Sequence, residues 1–283
     1  MALTINTNMS SLLVQKSLTS ATKSLNKSIE RMTTGYKINS ASDDAAGYAV
    51  ASNLKTQLSS ISVAQDNCEI GSSLLTTASD NYDLITTHLQ RIRDLTEEAA
   101  NGTYGTAAVA AIKSEVTARM SEIDRLSKST DYNGINLMDG SKTTGINVQV
   151  GIDSSSNSSI VLDGTLFASA NSSALTGVSN TTLQGYYTTG GTNFNTALDA
   201  IDKAISNVTN RQTKIGAYQN RLDSASDALN VKKTNTTSSL STIRDTDVAE
   251  ESSSYISAQI LQQASATLLS TANQAPSIAL NLI

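Results

Sequence analysis

The 283-residue chain carries a net charge of −5, 39% hydrophobic residues and 4% aromatics, with no Trp, one Pro and one His. That length suffices for one or two domains, and mild acidity without a basic patch argues against a nucleic-acid binder. No apolar run approaches the ~20 residues of a membrane span, and the opening Met1-Ala-Leu-Thr-Ile-Asn-Thr-Asn has neither the charged region nor the apolar core of a secretory signal.

The first predicted helix occupies residues 1–36. Leu18, Thr22, Leu25, Ile29, Met32 and Tyr36 recur at spacings of three and four, extended toward the start by Ile5, Met9 and Leu12. Its opposite face is Ser, Thr, Asn and Lys, so the helix alone is too polar to be stable and needs a partner over its stripe. Gly35 and the segment Lys37–Gly47 break the period. Ser40, Ser42 and the Asp43-Asp44 pair suit a helix start, a capping oxygen followed by acid in the first turn. With no cleft-forming motif nearby, capping is the better reading of these carboxylates than acid–base chemistry.

A long rod follows to Ala100. Leu54, Gln57, Ile61, Ala64, Cys68, Gly71, Leu75, Ala78, Tyr82, Ile85, Leu89, Ile92, Thr96 and Ala99 alternate in spacings of three and four without a proline. Such a stripe predicts a helix of roughly 70 Å at 1.5 Å per residue, and a rod of that length needs another long helix beside it. Asn101-Gly102 and Gly105 end it. A third helix is predicted from about Ala107 to Lys128, followed by turn signals at Asp131-Tyr-Asn-Gly134 and Asp139-Gly140. The period then changes to two: Ile146, Val148 and Val150, and later Ile160–Leu162, predict a small β-hairpin. Residues 163–192 are rich in Gly, Ser, Thr, Asn and Ala and read as a loop or turn-rich excursion.

Helix resumes near Phe194 and runs to about Ile243. Leu198, Ile201, Ile205, Val208, Gln212, Ile215, Gln219, Leu222, Ser226, Leu229, Lys233, Thr236, Leu240 and Ile243 supply the second rod, and an average spacing of 3.5 fits an antiparallel, left-handed supercoiled pair. After Arg244–Asp247 a last helix carries Leu261, Ala264, Leu268, Thr271, Ala275, Ile278 and Leu282, with a kink or fray expected at Pro276. The predicted fold class is mainly α, with long antiparallel coiled-coil rods, a small β-hairpin region and paired N- and C-terminal helices.

Chemistry-bearing motifs are missing. Cys68 stands alone and sits in the stripe, where it reads as a small buried hydrophobe. His88 has no Cys or His company for a metal. There is no HExxH, P-loop or GxSxG, so neither enzyme activity nor a cofactor is expected. Regular apolar spacing on both terminal helices, without a third partner inside the chain, implies assembly. The polymerisation residues read from these stripes are Leu18, Leu25, Ile29, Met32, Leu261, Ala264, Leu268, Ile278 and Leu282.

Several long stretches carry a family likeness. Gly35–Gly47, Gln90–Thr103, Glu122–Arg125 with Tyr132-Asn-Gly134, Ile215–Leu222, and Ile260–Ala264 with Ala272–Pro276 all resemble bacterial flagellin, in the family's order. The resemblance spans nearly the whole chain except about 163–192. It implies a hollow helical filament in the bacterial flagellum, with terminal helices 1–43 and 245–283 pairing as the inner core. Residues 44–162 and 193–244 would form the helical rod domain, and 163–192 a short variable surface segment. It further implies type III export without a cleaved signal peptide, an export chaperone on the C-terminal region, and contact with the filament cap and hook-associated proteins. It also implies recognition by the flagellin-sensing Toll-like receptor, with Arg91, Leu95 and Glu115 central and Gln90, Ile92, Arg93 and Glu98 beside them. The helix period agrees in part: Leu89, Ile92, Thr96 and Ala99 lie in the stripe, whereas Arg91, Arg93 and the off-centre Leu95 are expected to be free for a neighbour or receptor. The alternatives are a hook–filament junction protein or another secreted helical assembly protein.

Overall fold

Helix dominates the chain, as the period of three and four requires. The computed structural model describes residues 7–187 and 193–280, the side chains of 275–280 apart. Four long helices carry the chain: α1 (Met9–Thr34), α2 (Ala45–Ala100), α6 (Phe194–Arg244) and α7 (Val248–Leu280). Between α2 and α6 lie α3 (Thr106–Ser129), strands β1 (Asp131–Tyr132), β2 (Ile135–Asn136), β3 (Ile146–Gln149) and β4 (Ser159–Leu162), and the short helices α4 (Ser172–Thr176) and α5 (Asn180–Gly185). The chain divides into two compact units, 59–233 and 1–58 with 234–283.

In the unit 59–233, α2 and α6 pair antiparallel along a heptad seam. On α2 the series Ile61, Cys68, Leu75, Tyr82, Leu89, Thr96 and the series Ala64, Ala78, Ile85, Ile92, Ala99 are buried. On α6 burial recurs every seventh residue, at Ile201, Val208, Ile215, Leu222 and Leu229. From Gln212 onward the alternate α6 positions are polar, and polar side chains bridge the helices. Gln212 Nε2 donates to Asp83 Oδ1 at 2.6 Å, Gln219 Nε2 to Thr76 Oγ1 at 3.1 Å, and Gln65 Nε2 to Asn230 Oδ1 at 2.5 Å. One number rises as the other falls, which fixes the antiparallel sense. Gly71 lies in this seam because a Cβ there would come within 3.2 Å of Val148 and 3.3 Å of Leu222.

A second face of α2 is covered by α3, whose Val109, Ile112, Val116, Met120 and Ile123 join the same core. The predicted hairpin is present: β3 and β4 pair antiparallel, Ile146 opposite Leu162 and Gln149 opposite Ser159. β1 and β2 make a second, smaller hairpin around Asn133 (φ 50°) and Gly134 (φ 76°), a two-residue turn that demands positive φ at both positions. The excursion after β4 departs from the expected loop. It contains a 3-10 turn at Gly164–Phe167 and helices α4 and α5, and it buries Leu166, Phe167, Ala170, Leu175, Leu183 and Tyr187. Its polar composition serves caps and turns, while isolated apolar residues without a period reach the core.

In the other unit, α1 and α7 pair antiparallel, with Asn8 Nδ2 donating to Ala272 O at 2.8 Å and Gln262 Nε2 to Thr22 Oγ1 at 3.2 Å. The α1–α2 and α6–α7 connections are tied together. Lys37 N donates to Arg244 O at 2.7 Å, Thr246 N to Gly35 O at 2.9 Å, and the Arg244 guanidinium lies 4.1 Å from the Tyr36 ring centroid. The capping expectation holds with a division of labour. Asp44 Oδ1 accepts from Ala46 N at 3.1 Å and Gly47 N at 3.0 Å and so caps α2, whereas Asp43 pairs with Lys27 at 3.0 Å. At the other end, helix α7 continues past Pro276 to Leu280.

Candidate assembly surface

The terminal helices meet through small residues. Ala21 and Ser28 of α1 and Ala258 and Ser265 of α7 are buried between them, which lets the backbones approach closely. The large apolar residues flank this seam and stay outside it. Met9, Leu12, Leu13, Ile29 and Met32 on α1, and Ile256, Ile260, Leu261 and Leu268 on α7, are exposed. Leu268 keeps 57% of its surface and Leu261 59%. A groove of about 650 Å³ runs along the pair, lined by serines of both helices such as Ser17, Ser20, Ser254 and Ser257.

The residues read from the terminal stripes therefore fall beside the seam rather than in it. Leu18 and Leu25 are half-buried at its edge, and Ile29, Met32, Leu261, Ala264 and Leu268 are exposed. The side chain of Ile278 and all of Leu282 lie outside the described residues. The sequence missed the seam itself, because Ala and Ser count as neutral in an apolar stripe. It also missed its charged member: Glu251 is buried and receives a hydrogen bond from Arg31 Nη1 at 3.4 Å.

At the C-terminal end of α2 a second set of residues is brought together. Gln90, Arg91 and Glu98 are exposed, Arg93 is half-exposed, and Glu115 of α3 is half-buried. Arg91 Nε lies 3.4 Å from Glu115 Oε1, and Arg119 Nη2 holds the same oxygen at 3.0 Å. The Arg119 hydrogen bond, with Arg91 adding its charge, lowers the Glu115 pKa below its ordinary value. Arg93 is clamped by two carboxylates, Asp202 and Glu97, each at 2.7 Å, and the Asp202 hydrogen bond pushes its pKa up. Tyr104 Oη reaches Glu98 at 3.0 Å, which raises the phenol's pKa.

Two members of this set are not surface groups. Ile92 is buried, as its stripe position requires, and so is Leu95, at 2% exposure. The expectation that Leu95 is free for a neighbour is corrected by this burial. A helix packed on one neighbour buries one stripe, but Leu95 belongs to a core that draws on α3 and the segment after β4 as well as α6, so burial extends beyond the stripe.

Among the described residues no group of His, Cys, Asp and Glu is placed to hold a metal ion, and no helix is long and apolar enough to cross a membrane.

Residues 5–143 match the family model for the bacterial flagellin N-terminal helical region, and 198–283 that for the C-terminal helical region. The chain is 32% identical over 301 residues to the flagellin of Bacillus subtilis (strain 168), covering 99% of each. It is 32% identical over 289 residues to the flagellar filament 33 kDa core protein of Treponema phagedenis, again covering 99% of each. Among solved structures, a putative flagellar hook-associated protein from Vibrio parahaemolyticus shares the fold at a TM-score of 0.60 and 20% identity, over 71% of this chain and 99% of that one. The matched regions take in α1 and α7, the exposed pair described above, together with α2, α3 and nearly all of α6, and the chain belongs to the bacterial flagellins, the structural subunits that polymerise into the extracellular flagellar filament.

Proposed function

We propose that polymerisation runs through the large apolar residues that α1 and α7 leave outside their seam. The single observation that carries this is the inversion at the terminal pair: Ala and Ser are buried, while Leu, Ile and Met are exposed. Soluble monomers do not usually present so many large apolar side chains along one helix pair, because each gains free energy when a neighbour removes it from water. Ile29, Met32, Leu261 and Leu268 would then be covered by adjacent subunits, making 1–43 and 245–283 the inner layer. In the same reading an export chaperone shields α7 before delivery, and the filament cap and hook-associated proteins meet the terminal helices at the filament ends. The test is seeded polymerisation of the L261S/L268S variant. The expected result is soluble subunit with unchanged helical content and little sedimenting polymer; polymer yield equal to the wild type discards the reading.

A second reading concerns host recognition by the flagellin-sensing Toll-like receptor. It is supported by the exposure of Gln90, Arg91 and Glu98 around the Arg91–Glu115 pair. Surface pairs of this kind contribute little to stability, so their charges are available to a partner at small cost. Arg91→Ala is expected to lower receptor signalling with an unchanged melting temperature. Signalling at the wild-type dose would remove this role.

A further inference from the structure

The fully buried positions of the α1–α7 seam do not by themselves fix its alignment. Its buried residues recur at heptad spacing, Ala21 and Ser28 on α1, and Glu251, Ala258 and Ser265 on α7. Ala and Ser differ little in size, so sliding one helix by seven residues sets small residues against small residues again. The neutral side-chain bonds between the helices, such as Ser11 Oγ to Asn273 Oδ1 at 2.7 Å and Gln262 to Thr22 at 3.2 Å, use residue types that recur along both. In a helix pair with such a degenerate seam, a single buried polar or charged position is what specifies register.

Glu251 occupies that position. It is 7% exposed, and Arg31 Nη1 meets its carboxylate at 3.4 Å. The two residues sit at favourable ends for the helix dipoles, Arg31 in the last turn of α1 and Glu251 in the first turn of α7. The pair is not built for strength: its one ion-pair contact is long, and the buried Arg31 Nε has no hydrogen-bond partner. A buried ion pair contributes little net stability but is costly to separate, which is the profile of a specificity element. After a slip of one heptad, Glu251 would face Ser24 in one direction and would lie beyond the end of α1 in the other, in both cases with its carboxylate buried and without a guanidinium.

We infer that Arg31 and Glu251 are the register-determining pair of the terminal helices. They select the one alignment of α1 on α7 that presents Ile29, Met32, Leu261 and Leu268 to neighbouring subunits as a fixed pattern. The inference rests on the reading that those apolar residues carry polymerisation. Cross-linking separates the two. In the full chain, an S11C/N273C pair reports the native register and an S11C/A266C pair a one-heptad slip; Cys68 is buried and does not compete. Adding R31M/E251M, which keeps the volume and removes both charges, is expected to retain helical content, lower the native cross-link by roughly tenfold and raise the slipped one. The swap R31E/E251R is expected to restore both the native cross-link and polymerisation. Native cross-linking of R31M/E251M at the wild-type yield would overturn the inference, as would a swap that fails to restore it. The control is L268S, which should polymerise poorly with its native cross-link intact; if it polymerises normally, the assembly reading fails and the register assignment stands on its own cross-links.

Discussion

The hydroxyl of Tyr82 donates to Leu166 O at 2.8 Å and accepts from Arg211 Nη1 at 3.1 Å, so that one buried phenol joins α2, α6 and the segment after β4. Arg211 continues the clamp to Ala168 O at 2.7 Å and Ser169 O at 3.2 Å. Burial raises the pKa of Tyr82, which keeps it a neutral donor. Tyr82→Phe keeps the ring and strands the Leu166 carbonyl. The expected loss is about 1–3 kcal/mol, the desolvation cost of a buried polar group without its partner. Denaturant unfolding measures it, and an unchanged midpoint would show that the clamp is not structural.

Leu95→Ala is expected to act on the fold. At 2% exposure the side chain is part of the α2–α3–α6 core, and truncating a buried Leu costs about 2–5 kcal/mol. Thermal unfolding of the monomer would show it directly. An unchanged melting temperature would restore Leu95 to the surface role that its off-stripe position suggests.

Glycine is required where β4 leaves the hairpin. A Cβ at Gly164 would come within 2.0 Å of Thr143 O, and one at Gly145 (φ +83°) within 2.1 Å of Leu162 O. Backbone cannot retreat as a side-chain tip can, so Gly164→Ala is expected to cost about 1–3 kcal/mol through overpacking. Gly102→Ala, with nothing within 4 Å, serves as the control and is expected to leave stability near that of the wild type. Equal melting temperatures for the two variants would contradict the close approach.

The Lys27–Asp43 pair gives the terminal unit an acid limb. The Lys27 hydrogen bond, followed by the Ser40 and Asn39 amides at 3.1 Å, holds the Asp43 carboxyl far below its ordinary range. The unfolded chain therefore binds the proton first. The contribution is complete above the unfolded value of about 3.9 and is lost as pH falls toward the lower folded value. Asp43→Asn is expected to destabilise at neutral pH and to flatten the decline below about pH 4. Parallel pH profiles for the two proteins would exclude the pair as a contributor.

The long helices were legible because they bury one stripe against one neighbour, and a heptad seam writes that stripe into the sequence at Ile61–Ala99 and Ile201–Leu229. What was not legible has two physical causes. Leu95 is buried in a core shared by more than two elements, and periodicity reports the sum of several faces only as a blur. Leu166, Leu175 and Tyr187 are anchored by long-range bonds, with Leu166 O accepting from Tyr82 Oη at 2.8 Å, Leu175 O from Asn207 Nδ2 at 3.1 Å, and the Tyr187 and Thr96 hydroxyls paired at 2.5 Å, and Phe167 is buried among them; none of this leaves a local pattern. The terminal helices show the converse. Their apolar stripes were visible, but much of them, Ile29, Met32, Leu261 and Leu268, is left exposed, because the fully buried positions of the seam are Ala and Ser with Glu251.

A reconstruction of the filament at side-chain detail tests the central claim most directly. The account predicts that Ile29, Met32, Leu261 and Leu268 are buried between adjacent subunits, while Ala21, Ser28, Ala258 and Ser265 stay within each subunit's own α1–α7 pair. Filaments in which those four large residues remain open to water would contradict it.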